Sequence, residues 1–295
     1  MSLFKPATKT AAKLRMALTG PAGSGKTMSA LKIARGLGAR IALIDTERGS
    51  ASKYAGDVAE FDVLELVSFH PDRYIEGIKA AETSGYDVLI IDSLSHAWNG
   101  RDGVLELKDR AASSDRNGNG FSAWGKLTPL QNALIDAILG ANLHVICTMR
   151  AKTEYVLERD ERGKQVPRKV GMAPIQRDGV EYEFDVLGEL DADHVLTITK
   201  TRHTALAGAS IQHPGRELGE SLAAWLSEGE AVDPDPAVRK MRETIAERLT
   251  VLADLDKNDA AREVLARYGY EHGATRDLEV GRAVARDLGR LIPQN

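Results

Sequence analysis

Gly20-Pro21-Ala22-Gly23-Ser24-Gly25-Lys26-Thr27 fits the pattern G-x-x-x-x-G-K-[ST]. Glycines let consecutive backbone N–H groups turn toward one point, where they can meet phosphate oxygens. Lys26 brings a point charge for the β- and γ-phosphates, and the Thr27 hydroxyl is a hard oxygen donor for Mg²⁺. Residues 14–19, just before, read as a buried strand. Residues 27–36, just after, carry Met28, Leu31, Ile33 and Ala34 at helical spacing. Strand, Gly-rich turn and helix in that order present phosphates to a helix N-terminus. The expected nucleotide contacts therefore run from Gly20 through Thr27 to Met28, and the expected ligand is ATP or a related triphosphate with Mg²⁺.

The flanking pattern predicts an α/β fold. Residues 40–45, 62–67, 87–91 and 143–149 are short apolar runs, and a helix is expected over 73–83 after Pro71 and another over about 130–139. Fully apolar strands alternating with helices indicate a mostly parallel sheet covered on both faces. A Gly/Asn/Ser-rich stretch at 113–122 interrupts the alternation. Later segments, 153–159, 165–170, 181–187 and 194–199, look like strands joined by turns, so antiparallel hairpins are expected at one end. Asp233-Pro234-Asp235-Pro236 marks a boundary, and beyond it Met241, Ile245, Leu249 and Leu252 fall on one helical face. The division expected is an arm over 1–12, a core over 13–230 and a small helical module over 231–295.

A P-loop needs a carboxylate for its metal at the end of another strand. Val88-Leu89-Ile90-Ile91-Asp92 supplies one, and Asp92 is the Walker-B candidate, with Thr27, to hold Mg²⁺. Many AAA+ ATPases place Glu immediately after that Asp; here the position is Ser93. The group that activates water must then come from elsewhere. The strand Ile41-Ala42-Leu43-Ile44-Asp45 leads into Thr46-Glu47, so Glu47 is the candidate general base beside the P-loop.

A P-loop, a strand ending Ile44-Asp45-Thr46-Glu47 and a strand ending Ile91-Asp92-Ser93 together resemble the ATPase core of RecA-type recombinases, over residues 13–225. The resemblance implies a RecA-like core and the catalytic-base role for Glu47. Ile44-Asp-Thr-Glu-Arg-Gly-Ser-Ala-Ser-Lys-Tyr54 and Met149-Arg-Ala-Lys-Thr-Glu-Tyr155 are similar to segments of small bacteriophage RecA-like ATPases, some of which act in single-strand annealing or recombination. RecA relatives carry a polar γ-phosphate sensor at the end of the strand after Asp92. Here Thr148 or Arg150 takes that place, with Met149 between them. Hexameric helicases of the DnaB type place a Lys-x-Arg pair late in the core to reach a neighbouring subunit's ATP, which implies that role for Lys200 and Arg202. Strand alternation would put both on one side; two solvated basic residues at a strand end is the other reading.

The resemblance also implies DNA-contacting loops. Lys164, Arg168, Lys169 and Arg177 follow the sensor strand with no acid among residues 163–177, and basic residues there would neutralise phosphates without reading sequence. Arg116, in the Gly/Asn-rich stretch, occupies the place of the second loop, with Phe121 and Trp124 near its end. The expected partners are single-stranded DNA and further copies of the chain in a ring or filament; the terminal module would serve assembly or bind a partner such as a single-strand-binding protein.

Composition narrows the classes. The 295 residues carry a formal net charge of −4, so a DNA contact would have to be a local patch. Cys147 is the single cysteine, which excludes an internal disulfide and a multi-cysteine zinc site. No apolar run nears the roughly 18 residues that span a bilayer, and no leader is apparent. A cytoplasmic protein is expected, in the bacterial host if phage-encoded. A DNA-dependent recombination or annealing ATPase is the leading function. A ring motor or helicase loader, a P-loop small-molecule kinase and an ATP-switched binding module are the alternatives.

Overall fold

The computed structural model describes residues 11–114, 120–159, 165–228, 236–255, 257–270 and 277–293. Two compact units divide the chain: one is Lys13–Leu226, and the C-terminal helices from Ser227 onward belong to the other.

In the first unit the chain order is β1 (Arg15–Gly20), α1 (Lys26–Leu37), β2 (Ile41–Asp45), β3 (Asp62–Glu65), α2 (Pro71–Thr83), β4 (Val88–Asp92), α3 (Ser95–Asn99), α4 (Val104–Ser114), α5 (Gly120–Gly140), β5 (His144–Arg159), β6 (Gln165–Pro174), β7 (Val186–Leu190), β8 (Val195–Thr201), β9 (Ser210–Gln212) and α6 (Arg216–Ser227). The strands form one sheet in the order β3-β2-β4-β5-β1-β7-β8-β9, with β6 paired to β5 off this path. Strands β3 to β7 along that path run parallel, while β8, β9 and β6 are antiparallel additions. The expected α/β class with a parallel sheet and antiparallel hairpins is what the chain adopts.

Strand alternation sorts the core into two layers. Leu14, Met16, Leu18, Val88 and Ile90 face α1 and α6, where Leu31, Ile33, Leu218 and Leu222 close the layer. Ala17, Leu89, Ile91, Val145 and Cys147 face the other way, against Tyr74 and Ile78 of α2 and Leu134 and Ile138 of α5. Both faces of the central strands are thus dry, which is why those strands read as continuous apolar runs.

Two local features departed from expectation. The segments 143–149 and 153–159 are one strand: β5 leaves the core and continues, paired with β6 from Ala151↔Pro174 to Arg159↔Gln165. The segment 181–187 starts in a 3₁₀ turn, Val180–Glu183, and the strand proper begins only at Val186.

Strand β5 starts at a buried histidine. Leu14 N donates to His144 Nδ1 at 3.0 Å, so the ring is neutral with its proton on Nε2. Burial, reinforced by Lys13 and Arg15, pushes the imidazole down to about 4 from 6.5. Between those values the unfolded chain binds a proton that the folded chain refuses, so stability present above pH 6.5 is lost as pH falls toward 4. The loss expected is about 3 kcal/mol, at roughly 1.4 kcal/mol per pKa unit. Urea unfolding across this range checks it. His144→Asn keeps an acceptor for Leu14 N and should remove that part of the slope; an unchanged slope would assign it to other groups.

The second unit holds α7 (Pro236–Asp254), α8 (Asn258–Arg267) and α9 (Leu278–Leu291). Its core is Val238, Met241, Ile245, Leu252, Ala261, Val264, Val284 and Leu288. The face expected from Met241, Ile245 and Leu252 is buried, and Leu249 packs partly against it.

Candidate functional site

The carboxyl ends of β1, β2 and β4, with β5 at Arg150, converge on one cavity of about 800 Å³. Crevices at carboxyl strand ends are where open α/β sheets bind ligands. Its lining includes Gly23, Gly25, Lys26, Thr27, Met28, Glu47, Asp92, Ser93 and Arg150. The P-loop, Glu47, Asp92 and Arg150 are brought together because the strands that carry them lie parallel in one sheet.

The P-loop follows β1 directly. Gly20 is obligatory by close approach: a Cβ there would run into the Leu190 carbonyl oxygen and lie 2.7 Å from Ser24 Oγ. Gly25 has φ 85°, and a Cβ would sit 2.9 Å from His194 Nδ1. Lys26 opens α1, and its Nζ donates to the carbonyls of Gly20 (3.0 Å) and Pro21 (2.7 Å). The ammonium is thus held over the loop, its pKa lowered by burial against the pull of Asp92 and Glu47.

Asp92 is 3% exposed and takes two hydroxyl hydrogen bonds. Thr27 Oγ1 donates to Oδ2 at 2.6 Å, and Thr148 Oγ1 donates to Oδ1. Strand β5 lies between β4 and β1, so Thr148 stands between the P-loop and Asp92. Burial raises the Asp92 pKa, while the two hydroxyl bonds oppose the rise. A buried carboxylate with no direct cation partner calls for a positive charge. Ser93 Oγ is also buried and has no hydrogen-bond partner among the described residues. Carboxylate and hydroxyl oxygens are the hard donors Mg²⁺ takes, usually one or two carboxylates with phosphates and waters completing the shell. Thr27 and Asp92 fit that role. No group of three or more His, Cys, Asp or Glu able to hold a metal occurs among the described residues.

The turn after β2 presents Glu47. Asp45, 1% exposed, accepts from Glu47 N at 2.5 Å and from Ala51 N at 3.4 Å, which fixes the turn. Thr46 ties it to β4: its Oγ1 donates to Asp92 O (3.0 Å) and accepts from Ser93 N (2.7 Å). Glu47 itself is clasped by Arg150, whose Nε and Nη2 reach Oε1 at 3.0 and 2.8 Å and whose Nη2 reaches Oε2 at 2.6 Å. Arg150 N in turn donates to Ser95 Oγ at 2.9 Å.

Several expected residues lie elsewhere. Thr148 is fully buried and spends its hydroxyl on Asp92, so of the two sensor candidates only Arg150 lines the cavity. Lys200 and Arg202 are far from their own chain's P-loop. Strand β8 runs antiparallel to β7 with Leu187 opposite Lys200, which puts the pair at the amino ends of the parallel strands. Lys200 Nζ donates to the carbonyls of Glu181, Tyr182 and Phe184, closing the 3₁₀ turn. Arg202 pairs with Asp185 at 2.5 Å. Arg177 lies beyond the end of β6 and donates to Asn132 of α5 at 3.2 Å, so it is not part of the β5–β6 hairpin. Arg168 and Lys169 are in β6 opposite Val156 and Tyr155; their side chains, together with Arg116, Lys164 and the Phe121 side chain, lie outside the described residues. Trp124 stacks on Trp98 at 5.8 Å between centroids.

Two cavity residues escaped sequence analysis. His194 and His213, on the turns flanking β8 and β9, have φ 61° and 50°. His194 Nδ1 lies 3.1 Å from Ser24 O, and His213 N donates to His194 O at 3.0 Å. Both line the same cavity as the P-loop, as do Lys32 and Pro214. The histidines lack metal-ligand spacing, and nothing local in the sequence places them at the loop.

A P-loop between a buried strand and its helix, with a carboxylate on a nearby parallel strand, defines a P-loop nucleoside-triphosphatase. Residues 12–211 match the family model described as AAA domain, well over half of the chain, and the chain belongs to that family. It is an AAA-type P-loop ATPase domain. No curated protein matches it. Ser93 follows Asp92 here, and the second acid that lines the cavity, Glu47, comes from the turn after β2.

Proposed function

We propose that the chain is a Mg²⁺-dependent ATPase whose turnover is coupled to single-stranded DNA, serving recombination or strand annealing. In this reading Lys26 and the P-loop N–H groups hold the phosphates, and Thr27 and Asp92 hold the metal. Mg²⁺, when bound, would neutralise charge on the phosphate oxygens. Glu47 accepts the proton of the attacking water. The Arg150 clasp keeps Glu47 occupied until the guanidinium turns toward the γ-phosphate.

The observation that carries the DNA coupling is the continuity of β5. One strand bears Thr148 on Asp92 and Arg150 on Glu47, then runs on into the β5–β6 hairpin. That hairpin contains Arg168 and Lys169 and leads from the segment with Lys164. The chain is continuous from Arg150 into the hairpin, and in this reading a phosphate backbone bound on the hairpin biases the Arg150–Glu47 pair. Several copies assembling along one strand belong to the same proposal, and a mass measurement with and without DNA checks it.

ATPase rate with and without oligo(dT) tests the coupling. Stimulation is expected, and it should be lost in Arg168→Glu/Lys169→Glu. Contact by Lys164, Arg168 and Lys169 predicts a log K against log salt slope of about −2, at roughly −0.7 per phosphate neutralised on single strands. A rate indifferent to any DNA, with phosphoryl transfer to a metabolite instead, would replace this proposal with the kinase alternative.

A further inference from the structure

The helical unit carries a groove that the nucleotide chemistry does not use. Between α7 and α9 lies a cavity of about 640 Å³, inside the roughly 300–1,000 Å³ range of ligand sites. Its floor includes Met241, 7% exposed, with Leu278 and Ala285. Lys240 and Arg248 from α7, and Arg282, Arg286 and Arg290 from α9, stand along it. On α9 the three arginines recur every fourth residue, about 6 Å apart along one face.

These charges are only partly answered within the unit. Asp287 serves Arg286 (3.3 Å) and Arg290 (3.1 Å) and accepts from Tyr268 Oη at 2.7 Å. Arg248 donates to the Ala285 carbonyl, tying α7 to α9 across the groove. Lys240 and Arg282 have no acidic partner among the described residues. No acid is among the described residues that line the groove. A concentration of positive charge on a chain of net charge −4 is local, and it selects anions by attraction and on-rate.

The floor decides which anion. A single strand of nucleic acid gains much of its grip from bases stacked on aromatic rings, and no aromatic residue lines this groove among the described residues. Methionine, leucine and alanine instead accept aliphatic side chains, and methionine adapts to irregular ones. We propose that the α7–α9 groove docks an acidic peptide segment that also carries apolar side chains, its carboxylates on the arginine row and its apolar residues on Met241 and Leu278. The partner is thus a protein with an acidic, apolar-studded segment.

The test uses the full chain and a fluorescein-labelled twelve-residue peptide of alternating Asp and Leu, read by anisotropy. Saturable binding that weakens with salt is expected, reduced at least about tenfold in Lys240→Glu/Arg282→Glu, since reversing rim charges opposes the peptide's own. Lys240→Arg/Arg282→Lys keeps the charge and should bind like the parent. An all-Asp peptide should bind more weakly, for lack of groups to fill the floor. The proposal is overturned if the parent does not bind the Asp/Leu peptide, if the charge-reversed protein binds it equally, or if all-Asp binds as well. It is also overturned if oligo(dT) displaces the peptide and depends more strongly on Lys240 and Arg282 than the peptide does.

Discussion

Asp92→Asn is expected to leave the unliganded fold at least as stable as the parent while lowering Mg²⁺-dependent hydrolysis by about a hundredfold or more. The two effects have one cause. Asp92 is 3% exposed, and burial raises its pKa, so its ionised form costs the unliganded fold stability at neutral pH. Asparagine removes that buried charge. It keeps an oxygen for the Thr148 hydroxyl, and the Thr27 hydroxyl can reverse to accept from its amide. What it cannot do is hold a divalent cation beside Thr27. Metal charge stabilisation is worth several kcal/mol at a phosphoryl group, and each 1.36 kcal/mol is tenfold in rate. Urea unfolding without nucleotide and steady-state hydrolysis with Mg²⁺ measure the two halves separately. An Asp92→Asn protein that hydrolyses at the parental rate would remove Asp92 from the metal site. One that loses more than about 2 kcal/mol of stability would make the residue structural first.

Glu47→Gln should lower hydrolysis by about 10²- to 10⁴-fold, the range a positioned general base contributes, with ATP affinity changed only a few-fold. Glutamine retains an acceptor for Arg150, and Asp45 fixes the turn through the Glu47 backbone N–H, which the substitution keeps. The turn and the phosphate cradle should therefore survive. Single-turnover hydrolysis, set beside equilibrium binding of the same nucleotide, separates chemistry from affinity. Equal loss in both would mean that Glu47 supports the site rather than acting on water, and an undiminished rate would put the base elsewhere.

Much of this was legible in sequence because it is local. The P-loop is eight consecutive residues whose backbone geometry demands glycine, and the apolar runs around it declare a parallel sheet by burial alone. Asp92 and Glu47 were legible for a related reason: one ends an apolar strand and the other lies two residues past the end of another. Other placements were not legible, for physical reasons too. Where Lys200 and Arg202 sit was set by the sheet: the antiparallel direction of β8 carries them to the end opposite their own P-loop. Arg177 shares a basic stretch with the hairpin, yet β6 has ended before it. Thr148 has the sequence position of a sensor, but the insertion of β5 between β4 and β1 turns its hydroxyl onto Asp92.

The sequence by itself determined the phosphate cradle, the two carboxylates and the α/β class, since backbone freedom and burial are written into residue type at short range. Only the tertiary structure decided which groups meet around that cradle. The Arg150 clasp on Glu47 spans 103 residues, and the contact of His194 with Ser24 spans 170. Strand order, a property of the whole sheet, closes both gaps. The basic groove on α7 and α9 has the same origin, because a row of arginines becomes a site only when a second helix and an apolar floor are packed beside it.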